Sequence, residues 1–382
     1  MKILILNYEY PPIGAGGGVI SKNTAQGLAD SGNIVTVLTT WFEGTVDENR
    51  ENLKIIRLKS RRKTLHKSNP LEMISWIKFA SKYLKKNCHK SMFDICIANF
   101  TMPGGNVSLM LKKKFDLPYV VISHGHDIPW IKPKSLYLLH ALNYFKIKKI
   151  LKNSNLNFVQ SDEMKRNIDH FLGAKYMNKN VLIPNGCNIN TFYPDFSKRG
   201  KTFKILFVGR LVKQKDPMTF LRAIYEFKKT EFDFSVTILG DGPLRKRIEK
   251  FVLDKKIKSY VTVKGKVPES EVINEYQSAH LLVSTSISEG MSIAILEALF
   301  CGLYVLATPA SGNLQLIADS NNGKIISFKN YAKLSSEIAE FYKTKFLSEY
   351  KFDENTMSEF RKKYSWEKIV NLYMEHLNNS LL

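Results

Sequence analysis

The chain has 382 residues, and its 57 Lys and Arg outnumber its 35 Asp and Glu, which leaves a formal surplus of 22 positive charges. Hydrophobic residues make up 44% and aromatic residues 12%, a composition that excludes a disordered chain and a fibrous repeat. The length predicts two domains. No apolar run approaches the roughly 18–20 residues of a membrane-spanning helix, and the four cysteines show no metal-binding spacing, so we expect a cytoplasmic protein with reduced thiols.

Apolar runs alternate with helical periodicity through the first half of the chain. Residues 2–7 form an apolar run that stops before Pro and Gly, and residues 19–30 follow at helical spacing. Further strands are predicted at 34–39, 93–98 and 119–123. Such alternation predicts a parallel sheet with helices on both faces.

The same pattern restarts in the second half. Strands are predicted at 203–209, 234–239, 260–263, 281–284 and 303–307. The stretch between the halves, residues 183–200, is rich in Pro, Gly and polar residues and is the predicted linker. We therefore expect an α/β fold of two Rossmann-like domains that face each other across a cleft, where α/β proteins bind their ligands.

The positive charge indicates an anionic partner, which the charge alone leaves open between nucleic acid, a phosphorylated substrate and the acidic inner face of a membrane. Residues 54–90 contain twelve Lys or Arg and a single acid, Glu72. An alternative is that the surplus reflects genome composition, because 46 of the 57 basic residues are Lys in a chain rich in Asn, Ile and Phe.

A glycine-rich turn, Gly14-Ala-Gly-Gly-Gly18, separates the first strand from the first helix. Glycines at this place let backbone N–H groups approach an anion, although a tight connection explains them equally well. The spacing is not GxGxxG, and the second strand ends in Thr-Thr-Trp without an acid for a ribose, which argues against a dinucleotide site.

Two cations, Arg210 and Lys215, follow the first strand of the second half, directly after Gly209. At the carboxyl end of a parallel strand they can neutralise a diphosphate leaving group. The alternative is a solvated loop in a Lys-rich chain.

Two acids with seven residues between them, Glu289 and Glu297, supply a context for these cations. Glu289 follows a predicted strand, and a helix is predicted to begin near Ser292, so the N–H groups around Gly290, Met291 and Ser292 can hold a phosphate. Glu297 lies about two turns along that helix and can accept hydrogen bonds from vicinal hydroxyls.

Together these motifs resemble the family-4 glycosyltransferases, retaining enzymes with the GT-B fold, over nearly the whole chain. The segments that carry the resemblance are Tyr10-Pro-Pro-x-Gly-x-Gly-Gly-Gly18, His124-Gly-His-Asp127, Ile183-Pro-Asn-Gly-Cys-Asn-Ile-Asn-Thr-Phe192, Gly209-Arg-Leu211 with Lys215, Gly240-Asp-Gly-Pro243, the Glu-x7-Glu block and the terminal Ser365-Trp-Glu-Lys368. The resemblance implies an acceptor domain over residues 1–190, a nucleotide-sugar donor domain over residues 201–364, and a helix over residues 365–382 that returns to the first domain.

The resemblance also implies roles for the residues of the second half. Arg210 and Lys215 would bind the donor diphosphate, with Gly209 and the loop that precedes the Glu297 helix beside it. Glu297 would hold the ribose hydroxyls, and Glu289 would contact hydroxyls of the transferred sugar.

In the first half, Gly16 and Gly17 would present N–H groups near the distal phosphate and the acceptor, and His124 would lie beside the sugar. A packed loop histidine is the alternative for His124, and His126 leaves that choice open. A His-x-His pair also suggests a metal, but the sequence places no third ligand. The resemblance implies neither a metal nor a cofactor, because the nucleotide-sugar is a co-substrate.

The chain departs from the family pattern where Gln315 replaces the usual Glu and only Gly312 remains of a glycine pair. These departures leave the base and the sugar of the donor open, so we expect either a UDP-sugar or a GDP-sugar.

The acceptor is predicted from two basic, aromatic-rich amphipathic segments, residues 71–86 and residues 136–152. They are suited to an anionic membrane surface, or else they pack on the sheet as ordinary domain helices. We expect a peripheral enzyme that glycosylates a lipid-linked, lipopolysaccharide or other surface-polysaccharide precursor at the inner face of the plasma membrane. The alternatives are a soluble transferase on a small acceptor, a GT-B epimerase and, outside enzymes, a nucleic-acid-binding protein, whose usual motifs the sequence lacks.

Overall fold

The computed structural model describes residues 1–14, 16–47, 49–65, 68–125, 127–129, 137–230 and 232–381. The chain divides into two compact units. Unit 1 combines Met1–Gly186 with Trp366–Leu382, and unit 2 is Cys187–Ser365. The boundary between the two units therefore falls within the predicted linker, and the C-terminal segment from Trp366 onward belongs to unit 1.

Each unit is built on one parallel sheet, and the strand counts below refer to the described residues. The seven strands of unit 1 are β1 (Lys2–Leu6), β2 (Ile34–Thr40), β3 (Leu53–Leu58), β4 (Ile95–Asn99), β5 (Tyr119–Ile122), β6 (Asn157–Val159) and β7 (Asn180–Leu182). The six strands of unit 2 are β8 (Phe203–Val208), β9 (Phe234–Leu239), β10 (Val261–Gly265), β11 (Leu281–Ser284), β12 (Tyr304–Ala307) and β13 (Gly323–Ile325). Their orders are β3-β2-β1-β4-β5-β6-β7 and β10-β9-β8-β11-β12-β13. In both sheets the first strand thus lies between the second and the fourth of its unit.

The α-helices of the described chain connect these strands. In chain order they are α1 (Gly16–Asp30), α2 (Pro70–Asn87), α3 (Gly105–Phe115), α4 (Tyr137–Leu142), α5 (Tyr144–Asn153), α6 (Asp162–Leu172), α7 (Pro217–Phe227), α8 (Arg245–Asp254), α9 (Glu269–Ser278), α10 (Ile293–Phe300), α11 (Asn313–Ser320), α12 (Tyr331–Phe341), α13 (Glu354–Lys363) and α14 (Trp366–Leu381). A π-type turn over Phe100–Gly104 leads from β4 into α3.

The side-chain alternation of β1 divides the core of unit 1 into two layers. Leu4 and Leu6 pack in a cluster with α2, α3, α5 and α6, to which Trp76 contributes the largest buried side chain. Ile3 and Ile5 belong to the opposite cluster, with α1 and α14. The parallel sheet is therefore covered on both faces, as the sequence predicts.

Unit 2 repeats this arrangement around β8. Ile205 and Phe207 pack with α7, α8 and α12, whereas Leu206 packs with α9, α10, α11 and α13. The loops that follow β8 and its neighbour β11 leave the sheet at the same edge, because the two strands run parallel. In unit 1 the same reasoning brings together the loops that follow β1, β4 and β5.

The prediction of one amphipathic helix over residues 136–152 is wrong. The structure has two helices there, because Asn143 leaves the helical conformation with φ −107° and ψ 7°. Its side-chain amide donates to the carbonyl oxygen of Leu139 at 2.9 Å, the kind of local bond by which Asn competes with a helix. Leu136 lies outside the described residues.

The basic stretch of residues 54–90 is not uniformly a surface. The Arg57 guanidinium is ion-paired with Asp47 at 2.5 Å and donates to the Pro11 carbonyl oxygen at 2.7 Å. The Arg62 side chain is buried against the ring of Tyr8. Two of the twelve basic residues therefore hold loops of unit 1 together.

Candidate functional site

Lys215 and Glu289 form an ion pair between their ammonium and carboxylate groups at the carboxyl-end edge of the unit 2 sheet. Lys215 lies in the loop after β8, and Glu289 lies in the loop after β11. Both side chains are largely buried, with exposed fractions of 15% and 11%. The structure thus brings together two residues that are 74 positions apart in the chain.

Hydrogen bonds between the two loops explain why these side chains meet. The Gln214 amide donates to the Ser288 carbonyl oxygen at 2.6 Å, and the Ile287 N–H donates to the Gln214 carbonyl oxygen at 2.7 Å. The Thr285 hydroxyl lies 3.0 Å from the Lys215 carbonyl oxygen. The backbone on both sides of the ion pair is therefore fixed.

Arg210 follows Gly209, which has φ +152°, a conformation that favours glycine. The strand turn is crowded here, since a Cβ on Gly240 would lie 2.0 Å from the Gly209 carbonyl oxygen. Arg210 itself is exposed. Within the described chain its guanidinium forms no hydrogen bond or ion pair, so the cation is available to a ligand.

The N-terminus of α10 follows Glu289 in the same loop. Ser292 is the N-cap residue of α10, and its side chain makes no capping hydrogen bond. The carbonyl oxygen of Gly290 accepts from the Gly312 N–H at 3.0 Å, and Met291 is buried. A helix N-terminus without a side-chain cap presents N–H groups to an anion.

Glu297 lies further along α10, where its carboxyl group accepts a hydrogen bond from the Tyr276 hydroxyl at 3.0 Å. Burial raises the pKa of Glu297 to about 8, which the hydrogen bond from Tyr276 opposes. Glu297 was predicted from the sequence, whereas Tyr276 on α9 was not, because the sequence does not indicate which carboxyl group a buried tyrosine contacts.

In unit 1, Gly16 begins α1, and Gly17 lies in close contact with Phe100. A Cβ on Gly17 would lie 2.6 Å from the Cζ atom of Phe100. Gly17 therefore has a packing reason to be glycine, beside the approach to an anion that the sequence suggests.

His124, in the loop after β5, also packs against the Phe100 ring, at a centroid distance of 4.5 Å. Its Nε2 atom lies 3.0 Å from the Asn99 carbonyl oxygen Oδ1, so Nε2 is the donor. Burial lowers the pKa of His124 to about 4, although the Asp127 carboxylate acts in the opposite direction. His124 is therefore neutral near pH 7. His126 lies outside the described residues.

Asp127 fixes the backbone of this loop. Its carboxylate accepts from the His124 N–H at 2.8 Å and from the Thr101 N–H at 2.8 Å. Asp127 was named from the sequence only as part of a motif, and neither Asn99 nor Phe100 was predicted to belong to the site. A polar residue at the end of an apolar strand was the one available signal.

The structure thus groups the candidate residues within each unit. In unit 2, Lys215, Glu289 and the α10 N-terminus share one loop pair, with Arg210 in the loop after β8. In unit 1, Gly17 and His124 share the ring of Phe100. Across the part of the chain that the structure describes, no group of three His, Cys, Asp or Glu side chains is placed to hold a metal ion, and no helix is long and apolar enough to cross a membrane.

Two protein-family models match the chain. The model described as Glycosyltransferase Family 4 matches residues 14–191, and the model described as Glycosyl transferases group 1 matches residues 189–359. An uncharacterised glycosyltransferase of Methanocaldococcus jannaschii is 30% identical over 299 residues, which are 78% of this chain and 78% of that protein. An alpha-monoglucosyldiacylglycerol synthase of Acholeplasma laidlawii is 23% identical and covers 85% of this chain and 84% of its own length.

Solved structures resemble the chain along its whole length. Sucrose-phosphate synthase from Thermosynechococcus elongatus superposes with a TM-score of 0.84 at 18% identity, covering 100% of this chain and 99% of that one. The Anabaena protein HepE in complex with UDP-glucose gives 0.76 at 17% identity, with 99% and 100% coverage. At such identities the two structures show a shared fold.

Proposed function

Because the chain belongs to glycosyltransferase family 4 and has the GT-B fold, we propose that it transfers a sugar from a nucleotide-sugar to an acceptor hydroxyl with retention of the anomeric configuration, without a metal ion or a cofactor. The ion pair of Lys215 with Glu289, beside the α10 N-terminus, carries this proposal. The ammonium group suits the diphosphate of a nucleotide-sugar, and the carboxylate beside it can accept hydrogen bonds from the hydroxyls of the sugar.

Lys215 and Arg210 are assigned to the diphosphate of the donor. The ammonium group is a point charge held in place by Glu289, and the exposed guanidinium offers a planar fork for phosphate oxygens. Glu289 accepts hydrogen bonds from hydroxyls of the transferred sugar. Because negative charge grows on the diphosphate as it leaves, cations fixed beforehand stabilise the transition state more than the ground state.

The reaction follows a front-face substitution. The bond from the anomeric carbon to the diphosphate oxygen breaks, and the acceptor oxygen forms its bond to that carbon on the same face. The acceptor proton passes to the departing diphosphate, which becomes the protonated nucleotide product. In unit 1 we assign the N–H groups of Gly16 and Gly17, and the neutral imidazole of His124, to the sugar and the acceptor.

Donor identity and stereochemistry test this reaction. Thermal unfolding with UDP-sugars and GDP-sugars identifies the donor, since a bound ligand stabilises the folded state by mass action. UDP-glucose is the first candidate, because it is the ligand named for the Anabaena structure. NMR of the first product is then expected to show the anomeric configuration of the donor. An inverted product, or no stabilisation by any nucleotide-sugar, would contradict the proposal.

For the acceptor we propose a lipid-linked or surface-polysaccharide precursor, and the charge of one helical layer in unit 1 supports it. Helices α2, α3 and α5 contain eleven Lys residues, and the one acid within them, Glu72, is buried. Among the described residues none of these lysines forms an ion pair. An unbalanced cationic face is suited to the headgroups of anionic lipids, which attract each basic residue by about 1 kcal/mol.

Apolar side chains accompany this charge on α4 and α5. Leu138 and Leu142, on one side of α4, and Phe145, near the start of α5, are exposed by 74%, 77% and 83%. The exposed Lys146 and Lys149 follow on α5. Apolar side chains beside lysines are the pattern of an interfacial helix. We therefore propose peripheral binding to an anionic membrane, which also fits the diacylglycerol product in the name of the Acholeplasma laidlawii relative.

Flotation with vesicles tests this binding. The protein is expected to float with vesicles of anionic phospholipid, to stay behind with purely zwitterionic vesicles, and to be released as salt screens the charges. Binding that is absent, or that does not respond to salt, would favour transfer to a small soluble acceptor.

A further inference from the structure

The Tyr276 hydroxyl has two acceptors within reach and one proton to donate. Its Oη atom lies 3.0 Å from the Glu297 carboxyl oxygen Oε2 and 3.2 Å from the Ala294 carbonyl oxygen. Tyr276 is fully buried on α9, while Glu297 and Ala294 lie on α10. A buried hydroxyl fixed by two partners restricts the rotamer of the carboxyl group that it contacts.

This geometry accommodates both protonation states of Glu297. When the carboxyl group is ionised, Tyr276 donates to it. When it is protonated, Glu297 can donate to the Tyr276 oxygen while the Tyr276 proton turns to the Ala294 carbonyl. In either state Oε2 is occupied by Tyr276, and the second oxygen, Oε1, is left for another partner.

The groups around Glu297 make its neutral form stable in the empty protein. Burial raises the pKa of Glu297 to about 8, and the charge of Glu269 on α9 adds to this effect. The nearby thiols of Cys187 and Cys301 are buried, and burial raises the pKa of each, so they are neutral near pH 7. Among the residues that the structure describes, the Tyr276 hydroxyl is therefore the contact that favours the ionised form of Glu297 against burial.

We propose that Tyr276 is a positioning residue, which holds the Glu297 carboxylate for the ribose hydroxyls of the donor and thereby couples nucleotide binding to the release of a proton. This inference rests on the proposed function and on the role that the family resemblance implies for Glu297, which is to hold the ribose hydroxyls. Two vicinal hydroxyls are donors that an ionised carboxylate accepts well, whereas a protonated carboxyl group offers one oxygen fewer.

The direction of the coupling follows from the protonation state of the empty site. At pH 6 most molecules must lose the Glu297 proton before the ribose binds, whereas at pH 8 about half have already lost it. Nucleotide affinity is therefore expected to rise roughly tenfold or more from pH 6 to pH 8 and to level off above pH 8. At pH 7 binding is expected to release close to one proton.

Removal of the Tyr276 hydroxyl shifts this profile. In Tyr276→Phe the ionised carboxylate loses its donor, so the affinity at pH 7 is expected to fall roughly tenfold and the plateau to move to higher pH. The KM for the donor should rise while kcat at saturating donor stays near that of the wild type, because the reacting atoms are untouched.

Calorimetric titration of UDP and of 2′,3′-dideoxy-UDP, with GDP and its dideoxy analogue in parallel, measures these quantities from pH 6 to pH 9. Buffers with different ionisation enthalpies report the released proton. Tyr119→Phe is the matched control, because this buried hydroxyl in unit 1 donates to the Ile150 carbonyl oxygen at 2.5 Å and does not contact Glu297. Glu297→Gln, which cannot ionise, is expected to bind UDP weakly and independently of pH, even if Tyr276→Phe unfolds.

The outcomes separate the two proposals. If the wild type distinguishes UDP from its dideoxy analogue but Tyr276→Phe keeps the wild-type pH profile, the positioning role is wrong and the ribose assignment stands. If Glu297→Gln keeps the wild-type pH dependence, the coupling is wrong. If the wild type binds ribose and dideoxyribose nucleotides equally, or binds none of them, the assignment of Glu297 fails, and the role of Tyr276 fails with it.

Discussion

The loops that follow β1 and β8 occupy the same topological place in their units, since each first strand lies between the second and the fourth of its sheet. The β1 loop carries one charged residue, Glu9, which faces the buried Arg62, and it leads into α1, whose Gly17 packs against Phe100. The β8 loop carries Arg210 and Lys215, and Lys215 is paired with an acid from the β11 loop. The same topological position therefore leads to a closely packed glycine in unit 1 and holds two cations in unit 2.

The two units also differ in how their charges are balanced. In unit 2, lysines such as Lys204, Lys264 and Lys324 form ion pairs with acids of neighbouring elements. In unit 1, the lysines of α2, α3 and α5 form no ion pair within the described chain. Residues 54–153 contain 21 Lys and Arg against four Asp and Glu, so most of the formal surplus of 22 lies there. Net charge on this chain is therefore a local property of unit 1.

The largest expected effect concerns the charged loop of unit 2. Lys215→Ala and Arg210→Ala are each expected to lower kcat roughly a hundredfold to a thousandfold, because fixed charge that faces the leaving group is lost. Glu289→Ala should be comparably impaired. Transfer assays with saturating donor measure this, and the exposed neighbour Lys213, changed to Ala, is the control. Full activity in all three variants would show that the site lies elsewhere.

The next prediction concerns two histidines with lowered pKa values, one in each unit. Burial lowers the pKa of His124 to about 4, and burial together with Arg199 does the same for His280. Since these values lie below the unfolded value of about 6.5, the stability that each contributes is complete above pH 6.5 and is lost as the pH falls toward 4. The expected loss is up to about 3 kcal/mol for each.

Urea unfolding at pH 7 and pH 5 measures this loss. His124→Asn and His280→Asn should each lose less stability between these two pH values than the wild type does, in the transition of its own unit. NMR titration of the imidazoles gives a direct check, and a midpoint near 6.5 for either one would contradict the expectation.

The close contact of Gly17 with Phe100 gives a third prediction. Gly17→Ala places a methyl group against Phe100, so we expect a destabilisation of about 1–3 kcal/mol from overpacking. Phe100→Leu in the same chain should recover much of that loss, because it removes the atoms in conflict. Gly200→Ala is the control, since no atom lies within 4 Å of the new methyl group. A Gly17→Ala variant as stable as the wild type would mean that the loop adapts freely.

The smallest effect concerns the membrane face. Leu142→Ser or Phe145→Ser is expected to weaken the binding of anionic vesicles roughly tenfold, as partial loss of one buried apolar side chain implies. Leu253→Ser, at a leucine of unit 2 that is 59% exposed, should leave flotation unchanged. Equal losses at both places would remove the distinction between the units.

The strands that the sequence predicted are the buried apolar ones, such as β1 and β8, in each of which four consecutive apolar residues follow a lysine. The prediction missed β3, because Lys54 and Arg57 interrupt its apolar run, and it missed the three-residue strands β6, β7 and β13. Such a strand is stabilised mainly by its hydrogen bonds to a neighbouring strand, and the local sequence does not show which strand that is.

The candidate site divides in the same way. Gly209, Lys215 and Glu289 were found because each follows an apolar strand, although their meeting depends on β8 and β11 being neighbours. Phe100 was not found, since its φ of +63° and its contacts depend on three different loops. Tyr276 was not found because helical periodicity marks a buried aromatic residue but not the carboxyl group that it contacts.

The position of α14 bears on how the chain matures during synthesis. Unit 2 is one continuous stretch, whereas unit 1 takes its last helix from Trp366–Leu381. That helix packs so closely on α1 that a Cβ on Gly27 would lie 2.4 Å from a methyl carbon of Val370. The ribosome therefore makes the whole of unit 2 before α14 can join α1 in covering the Ile3 and Ile5 face of the unit 1 sheet. The unit whose synthesis begins first is therefore completed last. Until then the apolar surface that α14 covers is exposed to aggregation and to chaperones.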